Sequence, residues 1–372
     1  MTRIFLVAGE SSGDLHGSNL VRAIYGLDSR AVCEGFGGTR MAEAGMVLHR
    51  DLAGRGIMGF TEVIRSLGYI RKVFREAVRR LEEEPPSCLV LIDYPGFNLR
   101  LAAKAKALGI PVVYYISPQV WAWKQGRVKT IRKVVDKMLV VLPFEERLYE
   151  EAGVPCAYVG HPLLDYLETV PLEGRFRDGL VIGLMPGSRA QEIQRHMPVM
   201  RAVAQGIQAV YPRARFVAPC VDAARERQVR KAAGALPIET VTGQTYELLD
   251  GARFCLVASG TATLETALFS VPMVVVYKIS PLSYWIAKRL VRVDHIALAN
   301  ILAEERIVPE FVQHEATPQR VLEAALPLIG DTPARQRVLG AYKRLRARMG
   351  AAGASAKAAR IVLEEAARSP HG

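Results

Sequence analysis

The sequence predicts an α/β protein made of two doubly wound domains, each with a parallel sheet covered by helices. Short apolar, β-branched runs alternate along the chain with longer amphipathic stretches, a pattern typical of βαβ units with buried strands. The pattern starts again near Leu180, after the polar, glycine-bearing stretch "LLDYLETVPLEGRFRDG". The chain of 372 residues is long enough for two domains with separate cores.

The apolar runs predict six strands in the first half of the chain and four in the second. In order they are "RIFLVAG", "AVCEGF", "SCLVLID", "VVYYIS", "KMLVVL", "CAYVG", "LVIGLMPGS", "RFVAP", "FCLVAS" and "PMVVVYK". Helical patterns lie between them, as in "EIQRHMPVMRAVAQGIQAVY", and "ASAKAARIVLEEAARS" predicts a terminal helix. We therefore expect domains at 1–170 and 175–340, joined by a linker, and a helical segment at 341–372.

Asp93 is the first candidate for chemistry. In doubly wound sheets ligands bind beyond the carboxyl ends of the strands, and two facing domains would put both sets of loops around one cleft. In "LIDYPGFN" a strand ends with Asp93, and Pro95 and Gly96 then turn the chain away. The carboxylate is thus placed for catalysis; the alternative is a helix cap or turn former, both common roles of Asp.

The loop "GESSGDLHG", Gly9 to Gly17, follows the first strand. Its glycines allow a ligand to approach the backbone closely, but it has neither the dinucleotide-binding nor the P-loop spacing. The alternative is a tight strand-to-helix turn in which Ser12 or Asp14 caps the helix. His16 is a candidate general base, or a residue that only packs.

Two loops of the second half share the order strand, glycine, helix. In "LMPGSRAQEI", Ser188 and Gln191 match a capping box, so a helix should start there. A helix N-terminus suits a phosphate, and Arg189 adds planar donors; otherwise Arg189 is a surface residue beside a cap. In "ASGTATLETAL", Glu265 could accept hydrogen bonds from a ribose, or it only pairs with the helix dipole.

The formal net charge of +12 favours anionic partners, namely nucleic acid, phosphorylated substrates or an anionic membrane surface. The alternative is a basic surface that only keeps the protein soluble. The five cysteines form no C-x-x-C pair and are expected to be free thiols in a reducing cytosol. We expect no signal peptide, membrane span or metal site, because the sequence has none of their patterns.

Two basic amphipathic segments are candidates for lying on anionic lipid. The first, "IMGFTEVIRSLGYIRKVFREAVRRL", carries the cations Arg65, Arg71, Lys72, Arg75, Arg79 and Arg80. In the second, "SYWIAKRLVRV", Trp285 and Ile286 lie near three further cations. The alternative for both is a core helix with a solvated basic face.

Taken together, these motifs resemble the lipid-A-disaccharide synthase family almost from end to end. The matching segments are "AGESSGDLHG", "IMGFTEV", "IDYPGFN", "YYISPQVWAWKQGR", "LPFE", "VGHPLLD", "MPGSRAQEI", "SGTATLE", "PMVVVYK" and "NILAEERIVPEFVQ". So many matches in order make the resemblance specific. It implies a GT-B-type architecture, with two Rossmann-like domains facing a cleft.

The resemblance also implies the reaction. The family transfers 2,3-diacylglucosamine from its UDP carrier to the 6-hydroxyl of 2,3-diacylglucosamine 1-phosphate (lipid X), with inversion and no added cofactor. Both substrates are anionic lipids, so we expect a cytoplasmic protein that binds the inner membrane peripherally; a homo-oligomer is compatible with the sequence. The alternatives are a GT-B-type enzyme of unacylated UDP-N-acetylglucosamine (a transferase or 2-epimerase) and a nucleic-acid binder. For the last, the sequence has neither a recognised module nor a basic stripe with interleaved aromatics.

The resemblance assigns roles to residues by motif. It implies that Asp93 is the catalytic base, with His16 or Glu10 as a helper. Several relatives have a second acid where this chain has Gly96, so Gly96 is no candidate here and the case for Asp93 as the base within this loop is stronger. The donor-binding positions are Gly187, Ser188, Arg189, Ser259, Gly260, Thr261, Glu265, Asn300 and Gln313. The acceptor loop would include Ser12, Gly13 and Asn98, and the membrane-facing set is Arg71, Lys72, Arg75 and Trp285.

Overall fold

The computed structural model describes residues 2–53, 67–118, 120, 126–280, 284–285 and 294–371. They form two compact units, of which the first combines Met1–Glu168 with Met349–Gly372 and the second is Thr169–Arg348. Each unit contains one sheet in which every strand pairing is parallel. The predicted α/β class with two doubly wound parallel sheets is confirmed.

The sheet of the first unit has the order β3-β2-β1-β4-β5-β6-β7. Its strands are β1 Arg3–Ala8, β2 Val32–Gly37, β3 Val47–Asp51, β4 Cys88–Ile92, β5 Val112–Tyr115, β6 Lys137–Val140 and β7 Cys156–Tyr158. The direction of winding reverses between β1 and β4, whose carboxyl ends are in register at Ala8 and Ile92. Such a switch point is where doubly wound sheets bind ligands.

The sheet of the second unit has the equivalent order β10-β9-β8-β11-β12-β13, with its switch point between β8 and β11. Its strands are β8 Val181–Met185, β9 Arg215–Cys220, β10 Ile238–Thr242, β11 Phe254–Ala258, β12 Met273–Tyr277 and β13 Glu310–Val312. Both units therefore have a switch point of the same kind.

Helices connect the strands of both sheets. In chain order the described helices are α1 Ser11–Leu27, α2 Thr39–Glu43, α3 Leu67–Glu83, α4 Pro95–Ala107, α5 Arg127–Val134, α6 Pro143–Glu151, α7 Pro162–Thr169, α8 Ala190–Val210, α9 Ala223–Ala233, α10 Thr245–Gly251, α11 Thr261–Leu268, α12 Leu298–Ala303, α13 Pro318–Ile329, α14 Pro333–Met349 and α15 Ala354–Ala367. Within the described ranges no helix has the length and apolarity that crossing a membrane requires.

The central strands are buried over their whole length, as β4 and β11 show, because helices cover both faces of a parallel sheet. This explains why their continuous apolar runs were visible in the sequence. Three strands were not predicted, namely β3, β10 and β13. All three lie at an edge of a sheet. Strands β3 and β10 contain polar, half-exposed residues in place of an apolar run, and β13 is only three residues long.

The predicted linker "LLDYLETVPLEGRFRDG" begins as a helix, which corrects the sequence prediction. It includes most of α7, in which Leu163 and Leu164 are buried. The carboxylate of Asp165 accepts hydrogen bonds from the backbone N–H groups of Gly353, Ala354 and Ser355, at 2.6, 3.0 and 2.7 Å. Asp165 therefore caps α15, which ties the last helix to the first unit.

Candidate functional site

Asp93 lies at the switch point of the first unit, directly after β4 and beside the loop that follows β1. Asp93 and Tyr94 both have left-handed backbone conformations, with φ of 45° and 46°. Residues other than glycine adopt such conformations at a cost of about 1–3 kcal/mol each, and they persist only where the surroundings impose them. Strain of this kind is concentrated at functional sites.

Three hydrogen bonds impose the conformation of Asp93. Its N–H donates to the carbonyl oxygen of Tyr115 at 3.1 Å. Its own carbonyl oxygen accepts from Nδ2 of Asn98 at 2.7 Å and from the hydroxyl of Tyr114 at 2.5 Å. Asn98, which was predicted to belong to the acceptor loop, is fully buried and acts on the backbone of Asp93. Tyr114 was not identified from the sequence.

The environment of the Asp93 carboxyl group suits a base. Burial raises its pKa from 3.8 to about 6, and a hydrogen bond from the backbone of Tyr94 opposes this shift. A carboxyl group with this pKa is mostly ionised at neutral pH, yet it holds a proton far better than an exposed carboxylate. General bases work best when their pKa lies near the working pH.

Gly9 is required by protein packing. A Cβ atom at this position would lie 2.3 Å from Cδ1 of Tyr94, so the tyrosine ring rests on the backbone of the loop. The ring also stacks on Phe97, with centroids 5.8 Å apart. The pKa of Tyr94 is raised by burial first and by the charge of Glu10 second, which places Glu10 in the neighbourhood of the Asp93–Tyr94 turn.

Asp14, in the same loop, has a structural role. Asp14 is buried, and its carboxylate accepts from the N–H groups of Gly38, Arg40 and Met41 at 2.9, 3.2 and 3.1 Å. It thus caps α2. The alternative interpretation, in which Ser12 or Asp14 caps the helix of its own loop, is wrong, because Glu10 precedes α1 without a side-chain cap. Ser12 is exposed and Gly13 is buried.

His16 lies on α1 and is neutral at physiological pH. Burial lowers its pKa to about 4, which the charge of Asp165 opposes. Its Nδ1 is buried and has no hydrogen-bond partner in the part of the chain that the structure describes. A second imidazole, His161, has a pKa of about 3, lowered by burial first and by His16 second. The structure thus places His16 beside another neutral histidine.

The loop after β8 leads into the longest helix of the second unit. Helix α8 starts after Arg189, whose backbone N–H and guanidinium both donate to the carboxylate of Glu192, each at 3.2 Å. The predicted capping box of Ser188 and Gln191 is therefore wrong by one residue. Gly187 has a φ of 109°, and a Cβ atom there would lie 2.3 Å from Oε2 of Glu192. Ser188 and Arg189 are exposed.

The loop after β11 begins the next helix. The hydroxyl of Ser259 donates to the carbonyl oxygen of Ile296 at 2.7 Å, and Gly260, with a φ of 146°, precedes the first helical residue, Thr261. Glu265 follows one turn later. Its Oε1 accepts from the hydroxyl of Tyr246 at 2.8 Å, and burial raises its pKa.

Tyr246 was not identified from the sequence, because it is separated from Glu265 by a whole strand. Its ring stacks on Phe269, with centroids 5.5 Å apart. The tyrosine is therefore held by packing and can orient the carboxylate of Glu265.

Asn300 and Gln313 hydrogen-bond to other parts of the second unit. Asn300 is fully buried, donates to the carbonyl oxygen of Val308 at 3.0 Å and to Glu310 at 2.7 Å, and accepts from the N–H of Val308 at 2.9 Å. Gln313 has a φ of 53° and donates to the carbonyl oxygen of Ile279 at 3.3 Å.

Two helix N-termini meet at the edge of the second sheet, because β8 and β11 are paired and their ends are in register at Met185 and Val257. The first N–H groups of a helix lack intrahelical partners, and its N-terminus carries a partial positive charge. With the guanidinium of Arg189, this arrangement can bind an anionic diphosphate. Within the described residues, no group of three or more His, Cys, Asp and Glu side chains could hold a metal ion.

The basic helix α3 presents Arg71, Lys72 and Arg75, all exposed, which we call the basic patch. Trp285 is 57% exposed. Arg65 and most of the second amphipathic segment, including Ile286, lie outside the described residues.

Comparisons with known proteins agree with these features. The sequence model of a family described as "Lipid-A-disaccharide synthetase" matches residues 4–362. The lipid-A-disaccharide synthase of Geobacter metallireducens is 41% identical over 371 residues, with 97% of each chain covered. That of Geobacter sulfurreducens is 42% identical over 373 residues, again with 97% of each chain covered. These likenesses extend through both units.

Solved structures share the fold at much lower sequence identity. The S. aureus MnaA–UDP co-structure is similar with a TM-score of 0.69 at 14% identity, covering 95% of this chain and 94% of that one. The structure of UDP-GlcNAc 2-epimerase from Neisseria meningitidis bound to UDP-GlcNAc has a TM-score of 0.61 at 11% identity and covers 99% of this chain and 100% of that one. The structure of the glycotransferase of kitacinnamycin has a TM-score of 0.64 at 16% identity and covers 98% of each chain. The predicted GT-B-type architecture is confirmed as a fold.

Proposed function

The chain belongs to the lipid-A-disaccharide synthetase family, and we propose that it joins two acylated glucosamines with Asp93 as the base. It is a glycosyltransferase of lipid A biosynthesis. The donor would be UDP-2,3-diacylglucosamine and the acceptor 2,3-diacylglucosamine 1-phosphate. The products would be the β-1,6-linked disaccharide 1-phosphate and UDP.

The observation that carries the mechanism is the strained, half-buried Asp93 at the switch point of the first sheet. In the proposed step its carboxylate takes the proton from the 6-hydroxyl of the acceptor. The hydroxyl oxygen then forms a bond to the anomeric carbon of the donor as the bond to the diphosphate oxygen breaks. Attack from the face opposite UDP inverts the anomeric centre. General-base help of this kind contributes about 10²–10⁴ in rate.

The edge of the second sheet would receive the leaving group. UDP departs with the electron pair of the broken bond, so negative charge develops on the diphosphate. Arg189 and the N-termini of α8 and α11 supply donors and positive charge where it develops. Glu265, oriented by Tyr246, would accept hydrogen bonds from the ribose hydroxyls of the donor.

Both substrates carry acyl chains and negative charge, so the enzyme would work at the cytoplasmic surface of the inner membrane. The basic patch on α3 and the exposed Trp285 suit an anionic lipid surface, because cations attract its headgroups and a tryptophan ring sits at the interface. We propose peripheral binding that involves these residues. It should weaken at high ionic strength.

The test is UDP release by the purified protein. UDP-2,3-diacylglucosamine should yield UDP only when the acylated acceptor is also present, and UDP-N-acetylglucosamine should not be turned over. Asp93→Ala should lose turnover far more than UDP binding, whereas Arg189→Ala should weaken UDP binding as well. Turnover of the unacylated nucleotide alone would reject the proposed substrates, and near-normal turnover by Asp93→Ala would reject the base.

A further inference from the structure

A buried histidine of the second unit joins two strand ends that are not neighbours in the sheet. His196 lies on α8 and is fully buried. Its Nδ1 is 2.7 Å from the carbonyl oxygen of Pro186, the first residue after β8. Its Nε2 is 3.0 Å from the backbone nitrogen of Lys278, the first residue after β12. Strand β11 lies between β8 and β12, so the ring links the outer two ends of this group of three strands.

The two partners determine where the proton of the ring lies. A carbonyl oxygen can only accept and a backbone N–H can only donate. Nδ1 must therefore carry the proton that it donates to Pro186, and Nε2 must accept from Lys278. A second proton on the ring would put two donors face to face at Lys278. Burial lowers the pKa of His196, which agrees with a neutral ring.

The loop from Pro186 to Arg189 is thus held at both ends from the same helix. His196 holds its first residue and Glu192, one turn earlier on α8, holds its last. We propose that His196 is a positioning residue for the diphosphate: through Pro186 it fixes where Arg189 and the N-terminus of α8 meet the leaving group. This inference rests on the proposed role of the loop in binding the diphosphate.

Two substitutions separate the two hydrogen bonds. His196→Asn keeps a side-chain N–H near the position of Nδ1, so it can still donate to Pro186 but cannot reach Lys278. His196→Gln places an oxygen near the position of Nε2, so it can accept from Lys278 but leaves Pro186 without its donor. Arg201→Ala is the matched control, because Arg201 lies on the same helix and donates to a backbone carbonyl, that of Ala232, at 3.4 Å.

The readouts are the Kd of UDP by calorimetry, the kcat and donor KM, and the Tm of each variant. We expect His196→Ala and His196→Gln to raise the Kd of UDP and the donor KM about tenfold, the value of one net hydrogen bond. Turnover at saturating donor should change much less. His196→Asn and Arg201→Ala should bind UDP as the unsubstituted protein does, even where their Tm is lower.

Equal losses of UDP affinity in His196→Asn and His196→Gln would overturn the proposal, and so would unchanged affinity in His196→Ala. A loss of the same size in Arg201→Ala would show a general effect of loosening α8 and would overturn it too. Arg189→Ala keeps the two proposals distinguishable. If the unsubstituted protein binds UDP and Arg189→Ala does not weaken it, the diphosphate loop itself has been misassigned.

Discussion

Replacing Asp93 by Asn should stabilise the folded protein at pH 8 while it removes the proposed base. The ionised carboxylate is held in a half-buried, strained turn, where desolvation disfavours its charge. An Asn side chain has almost the same shape, carries no charge and can still accept the hydrogen bond from the backbone of Tyr94. It also tolerates the left-handed conformation well.

The magnitude follows from the pKa of Asp93. Burial raises it from 3.8 to about 6, a difference of roughly two units, and each unit corresponds to about 1.4 kcal/mol. Below pH 3.8 the group is protonated in the folded and unfolded states and has no effect. As the pH rises to 6, the unfolded chain loses this proton first, so the folded state loses stability. Above pH 6 the full cost, about 3 kcal/mol, is present.

The assay is urea unfolding of both proteins at pH 8 and pH 4. At pH 8, Asp93→Asn should have a free energy of unfolding higher by about 2–3 kcal/mol, and most of this difference should vanish at pH 4. Asp28→Asn is the control, because Asp28 accepts from the N–H of Arg30 in a surface turn and Asn keeps this bond. A gain of the same size at both pH values, or no gain at pH 8, would refute the argument from burial.

Three further outcomes follow from the site. A plot of log(kcat/KM) against pH should rise with a slope of one up to about pH 6 and then level off, because only the ionised carboxylate of Asp93 can take a proton; a flat profile from pH 5 to 8 would contradict this. Tyr246→Phe removes the 2.8 Å hydrogen bond to Glu265 and should raise the donor KM roughly threefold to tenfold, with little change in kcat or Tm; a changed kcat at constant KM would reject the positioning role. Serine at all three positions of the basic patch should weaken binding to anionic vesicles by about 1 kcal/mol per cation and reduce its salt dependence, measured by co-sedimentation with zwitterionic vesicles as control; unchanged binding would exclude this helix.

The sequence predicted the central strands and the loops that follow them because both features are local. A buried parallel strand is a continuous apolar run, and its carboxyl end is followed at once by the loop that carries the candidate residues, as with Asp93 after β4. The edge strands β3, β10 and β13 could not be found in this way, since β3 and β10 contain half-exposed polar residues and β13 is only three residues long.

Contacts between distant parts of the chain could not be predicted either, because a local sequence pattern does not show which distant residues the fold brings together. Asp14 looks like a cap for its own helix, and only the fold shows that it caps α2. Tyr246 and Glu265, or His196 and Lys278, are brought together by strand order. The shift of the α8 start from Ser188 to Arg189 has a different cause. Both positions have a side chain with an acceptor oxygen three residues later, Gln191 and Glu192, so the sequence fits either start; in the structure the carboxylate of Glu192 is the acceptor.

The capping of α15 by Asp165 has a consequence for how the protein is made. Asp165 on α7 is synthesised early, but its partners Gly353–Ser355 emerge from the ribosome only after the whole of Thr169–Arg348 has been synthesised. At roughly 5–20 residues per second this interval is on the order of ten seconds or more. The second unit can therefore complete its fold first, although it is encoded later. Until then the nascent first unit keeps uncovered the face on which its last helix will pack, and a chaperone has a defined surface to protect.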